Sequence, residues 1–488
     1  MDELLNRIII YVHIKLRKFI ERNHTMFILN AIAAFGNWFW GLPILFLIVG
    51  GGIYITFRLG FVQFRHFGYI CSQTFGKMFA KTGDGEISSF SVACTALASS
   101  IGASNIVGVP VAIAMGGPGA IFWVWLIALI GCATKYTEVA LGVKYREKNE
   151  DGEWVGGPFY YLRGLGGGIG KFLGGFYAIG LMIELIPSLA AQGLSATSQF
   201  AIFGVNQVIV GVIIGVLIVL VVAGGLKRIG KVMDIMVPVM AVVYMAGAFV
   251  VIFANIGNLI PSIISIFKYA FAPHAAVGGF AGSTIALALR WGAARGVYSN
   301  EAGFGTAPAA HSSADVDHPI RQACWGVFEV TVDTLIVCTV TALAVLASGV
   351  WTSEKYEAGA LAQAAFNNVF GSFGDYFVAI CVFLFVFSTL IACVYYGQRQ
   401  AEFLFGVKFA KIWRWIYVIF MVVATTGIDL TMMYMITDGF LAAIMIPNMI
   451  GCIVLVGQIA ELQKEYFNTP GKYYLADVEA KKAKKAAK

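Results

Sequence analysis

Two apolar stretches of this chain carry polar groups that a simple membrane helix would not use. The first is IGASNIVGVP, Ile101 to Pro110, where Gly102, Gly108 and Pro110 surround Ser104 and Asn105. The second is RWGAARGVYSNEAGFGTAP, Arg290 to Pro308, with four glycines and the charged residues Arg295 and Glu301. Irregular backbone in a bilayer leaves polar groups unsatisfied unless it lines a cavity or binds something. The chemistry open to such segments is binding rather than bond-making. N–H groups at the start of a half-helix hold an anion, and unwound carbonyls ligate a cation. In a single segment, the glycines would equally serve close helix packing.

Other polar residues sit inside apolar runs. Gln192, Ser388 and Thr389 are candidates to face the same site, although a membrane Ser or Thr commonly bonds its own helix's carbonyl. Glu184 and Asp438 are costly in lipid and fit a helix end, a water-filled cleft or a structural pair. His311 and His318 with Asp315 and Asp317 resemble a metal cluster. They lack a ligand spacing and are expected to be solvated in a short polar loop. No span carries a clustered acid–base, nucleophile or metal set, which argues against an integral-membrane enzyme.

The elements that must position these residues follow from composition. Of 488 residues, 59% are hydrophobic and 12% charged, with a mean hydropathy of +0.79. Soluble domains carry about 25% charged residues, so a soluble enzyme, a disordered scaffold and a nucleic-acid reader are all excluded. Apolar runs of spanning length predict about 11 transmembrane helices. They cover Asn37–Phe57, Ser88–Met115, Ile121–Val143, Phe172–Phe200, Val208–Ala223, Val232–Phe253, Gly279–Pro308, Cys324–Val350, Phe377–Tyr396, Trp415–Thr426 and Met433–Gln458. Glu357 to Phe370 is too polar to span and reads as a short helix over one mouth. The eight cysteines show no paired spacing, so neither a disulfide framework nor a zinc site is expected.

Lys and Arg cluster after the first, third, fifth, ninth and eleventh spans, the last cluster being the tail AKKAKKAAK. All five lie on one side, which the positive-inside rule makes cytoplasmic. Lys15, Arg17, Lys18 and Arg22 dissent, because they precede the first span and would lie outside. Either that segment is a surface helix or the first span is misplaced. The two interrupted spans, second and seventh, each open a five-helix unit, and an odd number of helices inverts the second unit. Paired interrupted helices at equivalent positions point to the central site of a secondary transporter.

Several blocks resemble the alanine/glycine:cation symporter family, the bacterial sodium:alanine symporters of the amino acid–polyamine–organocation superfamily. They are GASNIVGV (Gly102 to Val109), GGPGAIFWVWLIALIG (Gly116 to Gly131), KYTEVALGVKYRE (Lys135 to Glu147), GGPFYYL (Gly156 to Leu162) and GVYSNEAGFGTAPAAH (Gly296 to His311). FST with YYGQR, between Phe387 and Arg399, completes the set. The resemblance implies an all-α polytopic membrane protein with a leucine-transporter-type 5+5 inverted repeat, two broken helices and one extra N-terminal helix. The expected divisions are residues 1–36 as an N-terminal segment, 37–462 as the transporter domain and 463–488 as a basic cytoplasmic tail. The two repeats would cover about 88–254 and 279–462.

The same resemblance implies substrate contacts at Gly102, Ala103, Ser104 and Asn105, at Gly292, Ala294 and Gly296, and at Gln192 and Thr389. Sodium would take carbonyls near Ala98 and Ile101 and the hydroxyls of Ser388 and Thr389, so Thr389 stands open between the two roles. The expected partners are an amino acid, sodium as coupling ion and membrane lipid, with no cofactor, nucleic acid or protein partner. The expected setting is the bacterial cytoplasmic membrane, with the C-terminus inside and the N-terminus outside. Two departures matter: Ala196 stands where the family reads isoleucine, and Cys393 where it reads tryptophan. Each lies four residues from a site residue, Gln192 or Thr389, and so on the same helix face. Both remove bulk, so the chain is expected to accept larger neutral amino acids such as glutamine, leucine or methionine beside alanine and glycine. A proton-coupled carrier of the same fold is the nearest alternative.

Overall fold

The computed structural model describes residues 30–32, 34–36, 38–78, 87–272, 284–353, 355–426 and 430–486. It is nearly all helical. The main helices are α1 (Gly51–Arg58), α2 (Ser89–Ser100), α3 (Val109–Gly116), α4 (Ala120–Lys144), α5 (Gly167–Ser198) and α6 (Gln207–Val222). They continue with α7 (Gly225–Ala254), α8 (Leu259–Ala270), α9 (Ile285–Asn300), α10 (Pro319–Val330) and α11 (Thr339–Ser348). The last are α12 (Leu361–Phe370), α13 (Phe373–Phe405), α14 (Val407–Ala424), α15 (Leu430–Asn468) and α16 (Tyr473–Ala486). A small antiparallel ribbon, β1 (Glu147–Lys148) and β2 (Trp154–Val155), pairs Glu147 with Val155 in the loop after α4.

Among the described residues, six helical runs are long and apolar enough to cross a membrane: α4, α5, α7, Pro319–Ser348, α13 and Met432–Glu479. A seventh crossing is made if α2 and the helical run Ser104–Gly116 count as one span, bent by 48°. The apolar runs at α1, α6 and α8 are shorter. Large apolar side chains such as Ile209, Val216 and Leu220 on α6 and Phe249 and Phe253 on α7 stand exposed. That is the outer face expected of helices whose solvent is lipid.

Two elements differ from the sequence reading. α8 is a helix that hydropathy alone did not predict: its 12 residues are too few to span, and its apolar face is one-sided. The seventh predicted span, Gly279–Pro308, holds only the 16-residue α9, followed by irregular backbone up to a short turn at Pro308–His311; residues 273–283 lie outside the described set. The basic run Lys15 to Arg22 also lies outside it. The bundle packs α5 against α13, α14 and α15, and α4 against α9 and α10, with α7 lying on α2. These contacts bring both interrupted helices to one interior space.

Candidate functional site

The first break begins where α2 stops. Ser88 starts that helix by accepting the Ser91 N–H at 3.0 Å, an N-cap of the ordinary kind. At the other end, Ile101 leaves helical geometry, and a wide helical turn, Ser104–Gly108, leads into α3, whose second residue is Pro110. The Asn105 side chain clips this turn. Its Oδ1 accepts the Gly102 N–H at 3.0 Å, while its Nδ2 donates to Asp333 Oδ1 at 2.6 Å and to Ser299 at 3.2 Å. A Cβ on Gly102 would stand 3.0 Å from Thr389 Oγ1, closer than ordinary contact, so the absent side chain lets the two elements approach. The first break and the middle of α13 are therefore in direct contact.

The second break follows α9. Glu301 adopts φ 55° and Gly303 and Gly305 adopt φ 98° and 77°, the left-handed region in which glycine is at ease and glutamate is uncommon. The freed backbone groups are taken up by side chains from three other helices. Lys135 of α4 donates to the Asn300 carbonyl at 3.1 Å, and Glu138 of α4 accepts the Gly303 N–H at 3.0 Å. Asn448 of α15 donates to the Gly303 carbonyl at 2.8 Å, and Tyr177 of α5 to the Phe304 carbonyl at 2.7 Å. An ammonium on the last carbonyls of a helix also suits the negative end of its dipole.

Between the two breaks lies a cavity of about 470 Å³. Gly102, Ala103 and Ser104 of the first break line it. From α5 come Glu184, Ser188, Gln192 and Ser195, at steps of four, four and three residues, which keeps them on one helix face; Gln199 follows just past its end. The Oε1 atom of Gln192 is buried with no hydrogen-bond partner among the described residues. Thr389, Cys393 and Tyr396 line the cavity from α13, and Tyr434 and Asp438 from α15. α9 contributes Arg295 and Tyr298, and the second break Glu301, Phe304 and Thr306.

Several expected site residues lie elsewhere. Asn105 is fully buried behind the wall, held by Asp333. Ala196 is also fully buried and off the cavity, because a step of four residues on a 3.6-residue helix has turned it past the lining face; Ser195 takes that place. Gly292 and Gly296 face α4: a Cβ on Gly292 would stand 2.4 Å from the Ala120 carbonyl, and one on Gly296 3.5 Å from Val124. Gly292 thus serves close packing, Gly296 leaves room for ordinary contact, and neither they nor Ala294 line the cavity. Ala98, Ile101 and Ser388 form a buried cluster beside it. The Ser388 hydroxyl donates to its own helix at Phe385 O (2.7 Å) and lies 3.5 Å from the Ala98 carbonyl. Thr389 likewise donates to Phe385 O at 3.0 Å. Each hydroxyl keeps lone pairs that could serve a cation.

The histidines are a further correction. His311 is not solvated: it is fully buried, hydrogen-bonded to Glu329 and, at 2.7 Å, to Gln322. His318 is also buried, and its Nδ1 accepts the Ile320 N–H at 3.1 Å to cap α10. Glu184 and Asp438, which sequence left open, both face the cavity. The four-residue spacing from Gln192 through Ser188 to Glu184 was the signal that could have placed Glu184.

A cavity that holds carboxylate, amide and hydroxyl side chains between two interrupted helices, inside a bundle of membrane-length helices, is the arrangement of a membrane transporter. The chain belongs to the sodium:alanine symporter family, whose sequence profile matches residues 25–478. A Bacillus subtilis (strain 168) protein named Uncharacterized transporter YflA is 45% identical, over 92% of this chain and 95% of the relative. The Sodium/alanine symporter AgcS of Methanococcus maripaludis is 38% identical, over 88% of this chain and 94% of its own. The Probable sodium/glutamine symporter GlnT of Bacillus subtilis is 35% identical, over 88% of both chains. The protein is thus a multi-pass membrane transporter of an amino-acid symporter family and not an enzyme.

Proposed function

We propose that this chain is a sodium-coupled symporter that imports small neutral amino acids, of the alanine and glycine type, across the cytoplasmic membrane. The observation that carries the reading is the contact of the first break with Thr389 across one wall of the cavity. The amides of Ala103 and Ser104 head the helical run Ser104–Gly116 and, as first-turn N–H groups, suit a carboxylate. Sodium would sit beside them, between Ala98 and Ile101 on one side and Ser388 and Thr389 on the other. The two breaks fit a 5+5 inverted repeat with units at about 88–254 and 279–462, working by alternating access. The charge pattern fits a cytoplasmic C-terminus, with membrane lipid around the exposed apolar faces.

A broader substrate range is favoured by one observation. Cys393 lines the cavity, so the bulk it lacks relative to tryptophan is available to substrate, whereas Ala196 lies off the cavity and adds nothing. A relative named for glutamine is consistent with that range. The test is uptake of a labelled amino-acid panel into proteoliposomes, with and without a sodium gradient. Uptake of alanine driven by sodium supports the reading. Uptake unaffected when choline replaces sodium would overturn sodium coupling and favour protons.

A further inference from the structure

Glu301 is the first residue after α9, and its backbone is left-handed, with φ 55°. A non-glycine residue in that region is strained and persists only where its surroundings over-determine it. Here they do: Lys135 and Glu138 grip the residues on either side, at the Asn300 carbonyl and the Gly303 amide. Strain so firmly held points to a side chain that must be aimed. The Glu301 carboxylate is aimed into the cavity, where its Oε2 accepts from Thr306 of its own break and lies 3.1 Å from the hydroxyl of Ser99 at the end of α2, a hydroxyl shared with the Ala96 carbonyl at 2.8 Å. It forms no ion pair among the described residues: the Lys135 ammonium donates to the Asn300 carbonyl and faces Glu329 at 3.9 Å. Among the described residues the hydrogen-bond partners of the Glu301 carboxylate are hydroxyls, on the rim of the first break.

A zwitterion whose carboxylate rests on the amides of Ala103 and Ser104 carries its ammonium group one carbon away. The acid that reads that group must adjoin the first break. Glu184 and Asp438 also line the cavity, yet among the described residues neither is hydrogen-bonded to Ser99 or to Gly102–Asn105, whereas Glu301 is bonded to Ser99. Among the described residues the walls carry three carboxylates and one cation, Arg295, so the cavity also favours a positively charged group. We propose that Glu301 binds the α-ammonium group of the transported amino acid, while Lys135 and Glu138 act as positioning residues that hold it in place. This rests on the amino-acid reading above.

The experiment uses the full chain in proteoliposomes and compares Glu301→Gln and Glu301→Asp with the unmutated protein. Three quantities are read: the KM for alanine, the half-saturating sodium concentration at saturating alanine, and competition by 2-hydroxypropionate, which keeps the carboxylate but lacks the ammonium. A hydrogen bond between charged groups predicts a rise of about 10- to 100-fold in alanine KM for Glu301→Gln. Sodium half-saturation should stay within about threefold, and 2-hydroxypropionate should compete no worse than before. Glu301→Asp keeps the charge and tolerates a left-handed backbone, so it should fall between the two. An unchanged alanine KM in Glu301→Gln overturns the assignment, as does a rise confined to sodium half-saturation, which would make sodium the cation read there. If Glu301→Gln does not reach the membrane, Glu301→Asp decides alone: a rise of about 3- to 10-fold in alanine KM supports the proposal, and none overturns it. An unmutated protein that takes up no amino acid would overturn the transport reading itself, a separate outcome.

Discussion

Replacing Ser388 with alanine separates two meanings of one hydroxyl. Ser388 is fully buried, donates to Phe385 O at 2.7 Å, and lies 3.5 Å from the carbonyl of Ala98. If the hydroxyl only serves its own helix, its loss costs no more than about 0.6 kcal/mol, the average for hydrogen bonds between membrane helices. That cost would fall on stability and leave the sodium dependence untouched. If the oxygen also ligates sodium, the loss is that of a polar contact to a charge, about 1.5–3 kcal/mol. At about 1.4 kcal/mol per factor of ten, the half-saturating sodium concentration should rise roughly 10- to 150-fold. The side chain is otherwise preserved, so the cavity wall keeps its shape. The assay is alanine uptake into proteoliposomes over a sodium series, with choline holding ionic strength constant and the amount of reconstituted protein measured. A sodium half-saturation within twofold of the unmutated value, with the maximal rate intact, refutes the placement of the ion between α2 and α13.

Cys393→Trp should refill the cavity and suppress competition by glutamine, leucine and methionine against labelled alanine, by about 10-fold or more, while sparing glycine. Ala196→Ile, off the cavity, should leave that competition pattern alone and instead cost about 1–3 kcal/mol of stability through overpacking, read as a lower thermal unfolding midpoint. Amino-acid amides and decarboxylated amines should fail to compete with alanine, because they lack the carboxylate that the Ala103 and Ser104 amides would hold; inhibition as strong as the parent's would argue against that cradle. Gly303→Ala places a Cβ 2.5 Å from Ile48 Cδ1 at φ 98°, so about 1–3 kcal/mol of strain should appear as a lower unfolding midpoint in detergent. An unshifted midpoint would count against the strained geometry of the second break.

Both breaks were legible because glycine and proline inside an apolar run contradict a simple span. Thr389 and Cys393 were legible too, since four residues on one straight helix suffice to relate them. The same rule misplaced Ala196, because from Gln192 the lined face continues by a step of three, to Ser195, and a step of four leaves it. What sequence hid were partners distant in the chain. Asn105 read as a ligand because nothing nearby announces Asp333, 228 residues on, which claims its amide. His311 read as solvated because its partner Glu329 sits on the next helix. The roles of Lys135 and Glu138 were likewise invisible: each supports backbone atoms more than 160 residues away.

The hydrogen bonds of the second break also bear on the order in which the chain can be assembled. Lys135, Glu138 and Tyr177 precede the break and are already made when it leaves the ribosome. The partner of the Gly303 carbonyl is not, because Asn448 follows 145 residues later on α15. Asn448 also donates to Glu138, at 2.6 Å, so its arrival adds a donor to that carboxylate as well as to the carbonyl. Until α15 inserts, the nascent chain holds a bilayer-embedded carbonyl without its final donor, a state several kcal/mol short of complete. The last long membrane helix is thus the closing piece of the central site, and a chain truncated before Asn448 would carry an unfinished break however well its first spans had packed.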